Sequence, residues 1–249
     1  MKKLRKQKKN KTEKLSDITN QFLKGELLPK DIDMDNEPMI NIQGENMSYN
    51  EELKRWREER DITVESQKPG LLGNLLEETM EVARAKNLDG VVDGLLDYSV
   101  YLANALEEIN LDQDLTEEEA KEVETKKRKF KELDDQALVM YKNYFLFKLM
   151  DGIKSASLVV TKDLVPVPKE AEEKIKLDTN IHIAYLNSLF RLIKSAIMIA
   201  GYDFDKAFKE TFKAIHSRKG KWSTVLNKFE KDKDQLDRYE PNYDNAKIK

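Results

Sequence analysis

The amino-acid sequence predicts an all-α protein, folded as a helical bundle. Charged residues make up 37% of the 249 positions, well above the roughly 25% of an average soluble domain. Only nine glycines and six prolines interrupt the chain, so helices can run long. Apolar residues recur mostly at helical spacing, with no convincing strand and no repeat of fixed period. These observations favour long charged helices, each with one apolar stripe.

The predicted helices follow one another along most of the chain. They cover residues 48–60, 71–85, 91–109, 116–133, 137–160, 178–200 and 203–216. Capping boxes at Ser48 and Thr116, each with a Glu three residues later, begin the first and the fourth helix. Lys68–Gly70 is expected to be a turn because it contains Pro-Gly, and Gly201 is expected to end the sixth helix. Residues 217–249 are expected to be irregular.

The N-terminal arm, residues 1–47, is expected to be largely disordered, with a short helix over 18–27. Its first 14 residues are rich in lysine, and such a run is most often a solubilising tail. Contact of this tail with nucleic acid is the alternative. The net charge of the whole chain is only −3, so nucleic-acid binding is not expected outside the tail.

Composition excludes several classes of site. The chain has no Cys, which excludes disulfides, thiolate metal sites and a cysteine nucleophile. His182 and His216 are the only histidines, too few for a multi-histidine zinc site. No apolar core of a signal peptide follows the basic N-terminus. Charged residues interrupt the most apolar run, 138–160, so no membrane span is expected. A cytoplasmic protein is the expectation.

Two neighbouring predicted helices carry acidic residues among apolar ones. Glu78 and Glu81 are three apart on one helix, and Asp93 and Asp97 are four apart on the next, so each pair shares a helix face. A solvated face is the alternative, but Asp97 lies inside a strongly apolar helix, where aspartate is a poor helix former. Buried carboxylates need a proton or a cation. Four that converge would suit Mg²⁺.

Further polar residues extend these two faces. Tyr101 and Asn104 follow Asp97 by one and two turns, and Asn74 precedes Glu78 by one turn. Such a stripe in an apolar helix suggests a lined pocket. One or two Mg²⁺ ions there could bridge the carboxylates to a triphosphate and activate a water molecule. The glycine-rich loop of P-loop enzymes is absent from the sequence, so a helical cage would hold the phosphates.

The segment 68–106, KPGLLGNLLEETMEVARAKNLDGVVDGLLDYSVYLANAL, resembles the all-α nucleoside triphosphate pyrophosphohydrolases. These include MazG-like, phosphoribosyl-ATP pyrophosphohydrolase-like and dimeric dUTPase proteins. ETFKAIHSRKGKW at 210–222 and YEPNYDNAKI at 239–248 resemble the phage-type branch of this superfamily. The resemblance covers roughly 56–104 and 201–248. Residues from about 112 to 180 have no counterpart in it and are expected to form a helical insertion.

The shared pattern is EExxE on one helix and ExxD on the next. Glu77, Glu78 and Glu81 match the first half, and Asp97 matches the final acid. Gly94 stands where the pattern has Glu, and we take the preceding residue, Asp93, as its substitute.

The resemblance implies hydrolysis of a nucleoside triphosphate to a monophosphate and pyrophosphate, a requirement for Mg²⁺, and assembly as dimers or tetramers. It also implies the metal ligands, which are Glu78, Glu81, Asp93 and Asp97. Glu77 would be a further ligand or would activate water. Asn104 matches an Asn suited to hold the sugar or base.

Basic residues near both ends of the resemblance could neutralise the phosphates. Arg218, Lys219 and Lys221 follow the last predicted helix, and Lys68 precedes the first acidic helix. Phosphoryl transfer needs positive charge on the leaving pyrophosphate, and Arg218 is the preferred candidate. A solvated basic loop is the alternative. Tyr243 lies in expected irregular chain, where it could cover a bound base.

The hypothesis is therefore a pyrophosphohydrolase whose helical domain covers 48–216 and whose basic C-terminal segment, 217–249, closes the site. A pyrimidine or non-standard deoxynucleotide such as dUTP is the expected substrate class, with no membrane partner. Two alternatives stay open: a non-catalytic nucleotide sensor, and a structural helical protein whose acidic stripes are solvated. If the protein is phage-encoded, its compartment is the host cytoplasm.

Overall fold

The computed structural model describes residues 47–127, 129–162, 169–218, 220–223, 228–231 and 239–249. Within these residues the fold is all-helical apart from one short hairpin. The helices are α1 (Tyr49–Glu58), α2 (Val64–Arg84), α3 (Leu88–Ala105), α4 (Glu117–Lys126), α5 (Asp135–Thr161), α6 (Lys169–Ile199) and α7 (Phe204–Ser217). Residues 1–46, which include the expected tail and short helix, lie outside the described part.

Side-chain caps begin the helices where the sequence predicts them. Ser48 and Thr116 form complete capping boxes with the glutamates three residues later. Asp134 and Asp203 accept hydrogen bonds from the first turns of α5 and α7. Gly201 follows α6 with φ +96°, a conformation that side chains with a Cβ rarely adopt. The predicted capping boxes at Ser48 and Thr116 and the predicted helix end at Gly201 are confirmed.

The expected turn at Lys68–Gly70 is wrong, because α2 begins at Val64 and runs through Pro69. Thr63 caps the helix, and its side chain accepts a hydrogen bond from the Ser66 backbone. A proline this close to the N-terminus removes one helical hydrogen bond. The cap and the buried residues that follow outweigh that loss. Other bounds differ as well: α3 begins and ends earlier than the predicted 91–109, α4 ends earlier, and α6 begins earlier.

A two-stranded hairpin occupies part of the chain that was expected to be irregular. Strand β1 (Gly220–Ser223) pairs antiparallel with β2 (Lys228–Lys231). The expectation of no strand is therefore wrong. Each strand has only four residues, which is too short for an alternating pattern to stand out in the sequence.

Helix α3 is the central element of the bundle. Fourteen of its 18 residues are buried, and it contacts α1, α2, α5, α6 and α7. Its closest partner is α2, which carries the other acidic face. Among the described residues, no helix has the length and apolar character that crossing a membrane requires.

The C-terminal residues return to the bundle. A 3-10 helix, Tyr243–Ala246, packs against α7. Ile248 donates its backbone N–H to Gly201 and accepts one from Phe130. The backbone N–H of Asp203 bonds to the carbonyl of Ala246. These bonds hold the 3-10 helix beside α3 and α7, so its tyrosine can reach the acidic face.

Candidate functional site

The acidic residues of α2 and α3 divide into buried and exposed groups. Glu78 is 4% exposed and Asp97 is 9% exposed, although both are charged side chains. Asp93 is half-buried, whereas Glu77 and Glu81 are exposed. Electrostatic interaction with Asp97 and Glu81 contributes to the shifted pKa values of both Glu78 and Asp93. The four expected metal ligands therefore lie in one region, with Glu78 and Asp97 as its buried centre.

Glu78 is the least satisfied of these carboxylates. Its Oε2 atom is buried and has no hydrogen-bond partner. Burial, together with the charges of Asp97 and Glu81, raises the pKa of Glu78 to about 9. A buried carboxylate in this state takes up a proton near neutral pH unless a cation lies beside it. The charge of Arg218 offsets only part of this shift, so a further cation beside Glu78 would be favourable.

Arg218 reaches the same region from the C-terminal end of α7. Its Nη2 donates a hydrogen bond to Asp97 Oδ2 at 2.9 Å, and both side chains are largely buried. Burial is the largest single effect and lowers the pKa of Arg218, but the interactions with Asp97, Tyr101 and Glu78 together outweigh burial and the pKa is raised. The expected phosphate-binding arginine therefore lies at the acidic site, although it binds a carboxylate here.

Asp93 is held by the C-terminal 3-10 helix. The hydroxyl of Tyr243 donates to Asp93 Oδ1 at 2.6 Å and lies 3.1 Å from Thr211 Oγ1. Burial and the charge of Asp97 raise the pKa of Asp93 to about 6, while the bond from Tyr243 opposes this rise. Tyr243 thus contacts an expected metal ligand, a role that its sequence position did not indicate.

Gly94 marks the close approach of α2 and α3. A Cβ atom at this position would lie 2.8 Å from Val82 Cγ2 and 3.3 Å from the carbonyl oxygen of Glu78. A carboxylate side chain has no room there. The departure from the ExxD pattern at Gly94 therefore has a steric cause, since only a glycine lets the two helices pack this closely.

Two polar residues continue from Asp97 along α3, as expected. Tyr101 is half-buried, and its pKa is raised by burial, with Arg218 opposing the shift. Asn104 is buried. Its Oδ1 accepts from Arg57 Nη1 at 3.1 Å, and its Nδ2 donates to Gln67 Oε1 at 3.4 Å. The sequence does not indicate that Arg57 and Gln67 contact Asn104. Arg57 is one of many charged residues in its helix, and Gln67 directly precedes the expected turn.

Of the other expected site residues, two lie on α2 and two have side chains outside the description. Lys68 is half-buried and lies 4.0 Å from Glu65 within the same helix. Asn74 is half-buried one turn before Glu78. Lys219 is outside the described residues. Lys221 belongs to β1, but its side chain is not among those described.

The donor set is chemically suited to Mg²⁺, which prefers carboxylate oxygens. The partnerless Glu78 Oε2 is the observation that favours a cation, since a buried oxygen without a donor is costly. Within the described ranges, however, no three Asp, Glu, His or Cys side chains are already gathered around a common point. Arg218 and Tyr243 bind two of the four carboxylates instead.

Comparisons with models of known protein families, with characterised proteins and with solved structures gave no significant match.

Proposed function

We propose that the protein is a Mg²⁺-dependent nucleoside triphosphate pyrophosphohydrolase. The observation that carries the proposal is the buried, partnerless carboxylate of Glu78 beside Asp97, in a site that also contains a buried arginine. Uncompensated carboxylates in a bundle core destabilise it. A site with carboxylates and a guanidinium suits a metal–triphosphate complex, because the carboxylates bind the metal and the guanidinium binds the phosphates. The resemblance of segment 68–106 supports the same chemistry.

In this proposal Glu78 and Asp97 hold the metal, with Asp93 and Glu81 completing the set. Bound Mg²⁺ would supply positive charge to the phosphates and lower the pKa of water. Glu77, at the exposed edge of α2, would orient or deprotonate the attacking water. The oxygen of that water would bond to the α-phosphorus as the α–β anhydride bond breaks, and the electron pair would leave with pyrophosphate.

The remaining polar groups would position the nucleotide. Arg218 would stabilise the negative charge that develops on pyrophosphate. Tyr101 and Asn104 lie along α3 beyond Asp97 and would contact the sugar or base. The resemblance implies this role for Asn104. The preferred substrate class is a pyrimidine or non-standard deoxynucleotide such as dUTP. Such a nucleotide pool would place the protein in the cytoplasm, or in the host cytoplasm for a phage-encoded protein.

A panel of ribo- and deoxynucleoside triphosphates with Mg²⁺, with products resolved as mono- or diphosphate, tests the proposal. We expect monophosphate and pyrophosphate from the wild type, and a loss of about 100-fold or more in Asp97→Asn. Asp114→Asn, at an exposed position before α4, is the matched control and should retain full activity. A diphosphate product, or full activity in folded Asp97→Asn, would contradict the mechanism.

The same panel separates the alternatives. A nucleotide sensor would bind a triphosphate with metal but release no product. A structural protein would bind neither in a metal-dependent manner. The lysine-rich tail, which lies outside the described residues, is tested separately by nucleic-acid binding with and without residues 1–14.

We further propose a dimer or tetramer that forms through the exposed apolar face of α5 and α6. Met140, Tyr144 and Phe147 lie on one face of α5, and Phe147 is 77% exposed. Leu177 and Ile181, one turn apart on α6, are also exposed. Apolar side chains grouped in this way commonly mark an interface.

Light scattering after size exclusion measures this assembly directly. Phe147→Asp should give a monomer at concentrations where the wild type is a dimer or larger. Lys209→Asp, an exposed position on α7, is the control for the added acidic charge and should assemble normally. A monomeric wild type would refute the proposed interface.

A further inference from the structure

Arg218 and a metal ion compete for the same carboxylate. The guanidinium Nη2 lies 2.9 Å from Asp97 Oδ2, in a largely buried pair that also interacts electrostatically with Glu78. A divalent cation bound by Asp97 would lie within a few ångströms of this positive charge. Two cations at that distance repel each other strongly where water is scarce. Each cation therefore weakens the binding of the other at Asp97.

A metal–triphosphate complex removes the conflict, because the phosphates bring several negative charges. We infer that Arg218 is the resting counter-ion of Asp97 and transfers to the phosphates when metal and nucleotide bind together. The inference rests on the proposed function and deepens it. The metal alone then binds weakly, and the site becomes complete only in the presence of the substrate.

The attachment of Arg218 is suited to such an exchange. A single hydrogen bond to Asp97 is present rather than the two-pronged pairing that guanidinium and carboxylate often form. Its Nε atom is buried without a hydrogen-bond partner, so this donor is still available to a phosphate oxygen. Arg218 also lies between the end of α7 and the start of β1 at Gly220. Among the described residues, transfer of the guanidinium to the phosphates therefore breaks one side-chain hydrogen bond and need not disturb the backbone bond from Arg218 to Ile215.

Metal binding to the full-length Arg218→Gln variant tests the exchange by calorimetry, with Mn²⁺ as the probe. Without nucleotide, we expect Mn²⁺ to bind about tenfold more tightly than in the wild type, within the usual range of coupling between sites. With a non-hydrolysable triphosphate analogue and Mg²⁺, we expect the variant to bind the analogue about tenfold more weakly. Opposite signs distinguish the exchange from general damage, which weakens both.

Lys213→Gln is the matched control, because Lys213 lies on α7 and pairs with the buried carboxylate of Glu210 at 2.6 Å. It should leave both affinities unchanged. Equal Mn²⁺ affinity in wild type and Arg218→Gln would overturn the exchange but leave the proposed function standing. A wild type that does not bind the analogue with Mg²⁺ would instead refute the proposed function, and the exchange with it.

If Arg218→Gln does not fold, NMR spectroscopy of the wild type tests the same exchange. The Nε–H resonance of Arg218, assigned by its loss in Arg218→Lys, should shift when Mg²⁺ and the analogue are added together. A resonance that stays in place upon binding overturns the inference.

Discussion

Glu78 should reduce the stability of the metal-free protein, and its replacement should therefore stabilise it. Burial and neighbouring charges raise the pKa of Glu78 from about 4.5 to about 9. Between these pH values the folded protein binds a proton that the unfolded chain has released. The free energy of unfolding consequently falls as pH rises through this window. Glu78→Gln removes the titration while keeping nearly the same volume.

The expected gain follows from about 1.4 kcal/mol for each pKa unit. At pH 7 the pH exceeds the unfolded pKa by about 2.5 units, so Glu78→Gln should add on the order of 3 kcal/mol. At pH 5 the difference is about half a unit, and the gain should fall below about 1 kcal/mol. Urea unfolding of both proteins at the two pH values, without metal, measures the change.

The adjacent glutamate provides the control. Glu77 lies on the same helix but is exposed, so Glu77→Gln should change stability by less than about 0.5 kcal/mol at either pH. Mg²⁺ together with a non-hydrolysable triphosphate analogue should stabilise the wild type more than Glu78→Gln, because a ligand stabilises the folded state in proportion to its affinity and the variant lacks one metal ligand. A Glu78→Gln protein that is less stable than wild type at pH 7 would refute the reasoning.

Two further substitutions test the packing around the site, each by urea unfolding. Tyr243→Phe should cost about 1 to 3 kcal/mol, because it removes a donor to the half-buried carboxylate of Asp93; a neutral result would show that water replaces the hydroxyl. Gly94→Ala should cost about 1 to 3 kcal/mol, because its Cβ would lie 2.8 Å from Val82. A Cβ atom at Gly73 would lie in open space, so Gly73→Ala should instead raise the free energy of unfolding by about 0.5 to 1 kcal/mol. Equal effects of the two glycine substitutions would contradict the steric argument.

The local parts of the fold were predictable because helix caps act within one turn. Ser48, Thr116 and Asp203 each bond to a backbone group three residues away, and such spacing is visible in the sequence. The start of α2 was missed for a related reason. Its N3 residue is Ser66 rather than Glu or Gln, so the capping box was inconspicuous beside Pro69, a strong breaker.

That two acidic helix faces are partly buried was also predictable, whereas their partners were not. Helical spacing among apolar residues indicates such faces, but it does not separate the buried Glu78 and Asp97 from the exposed Glu81. The pairing of Arg218 with Asp97 spans 121 positions, and that of Tyr243 with Asp93 spans 150. Contacts at that separation depend on how α7 and the C-terminal segment pack against α3, and no pattern within either segment specifies this packing.

The acid at position 93 and the tyrosine at position 243 are best understood as one arrangement. Close packing of α2 on α3 excludes any side chain at Gly94, so the nearest available carboxylate is one residue earlier. One residue is about 100° around a helix, which would turn a side chain well away from the one it replaces. Tyr243 binds Asp93 from outside α3 and holds it where Asp97 affects its pKa. Asp93 is thereby held at the site by a residue from the far end of the chain.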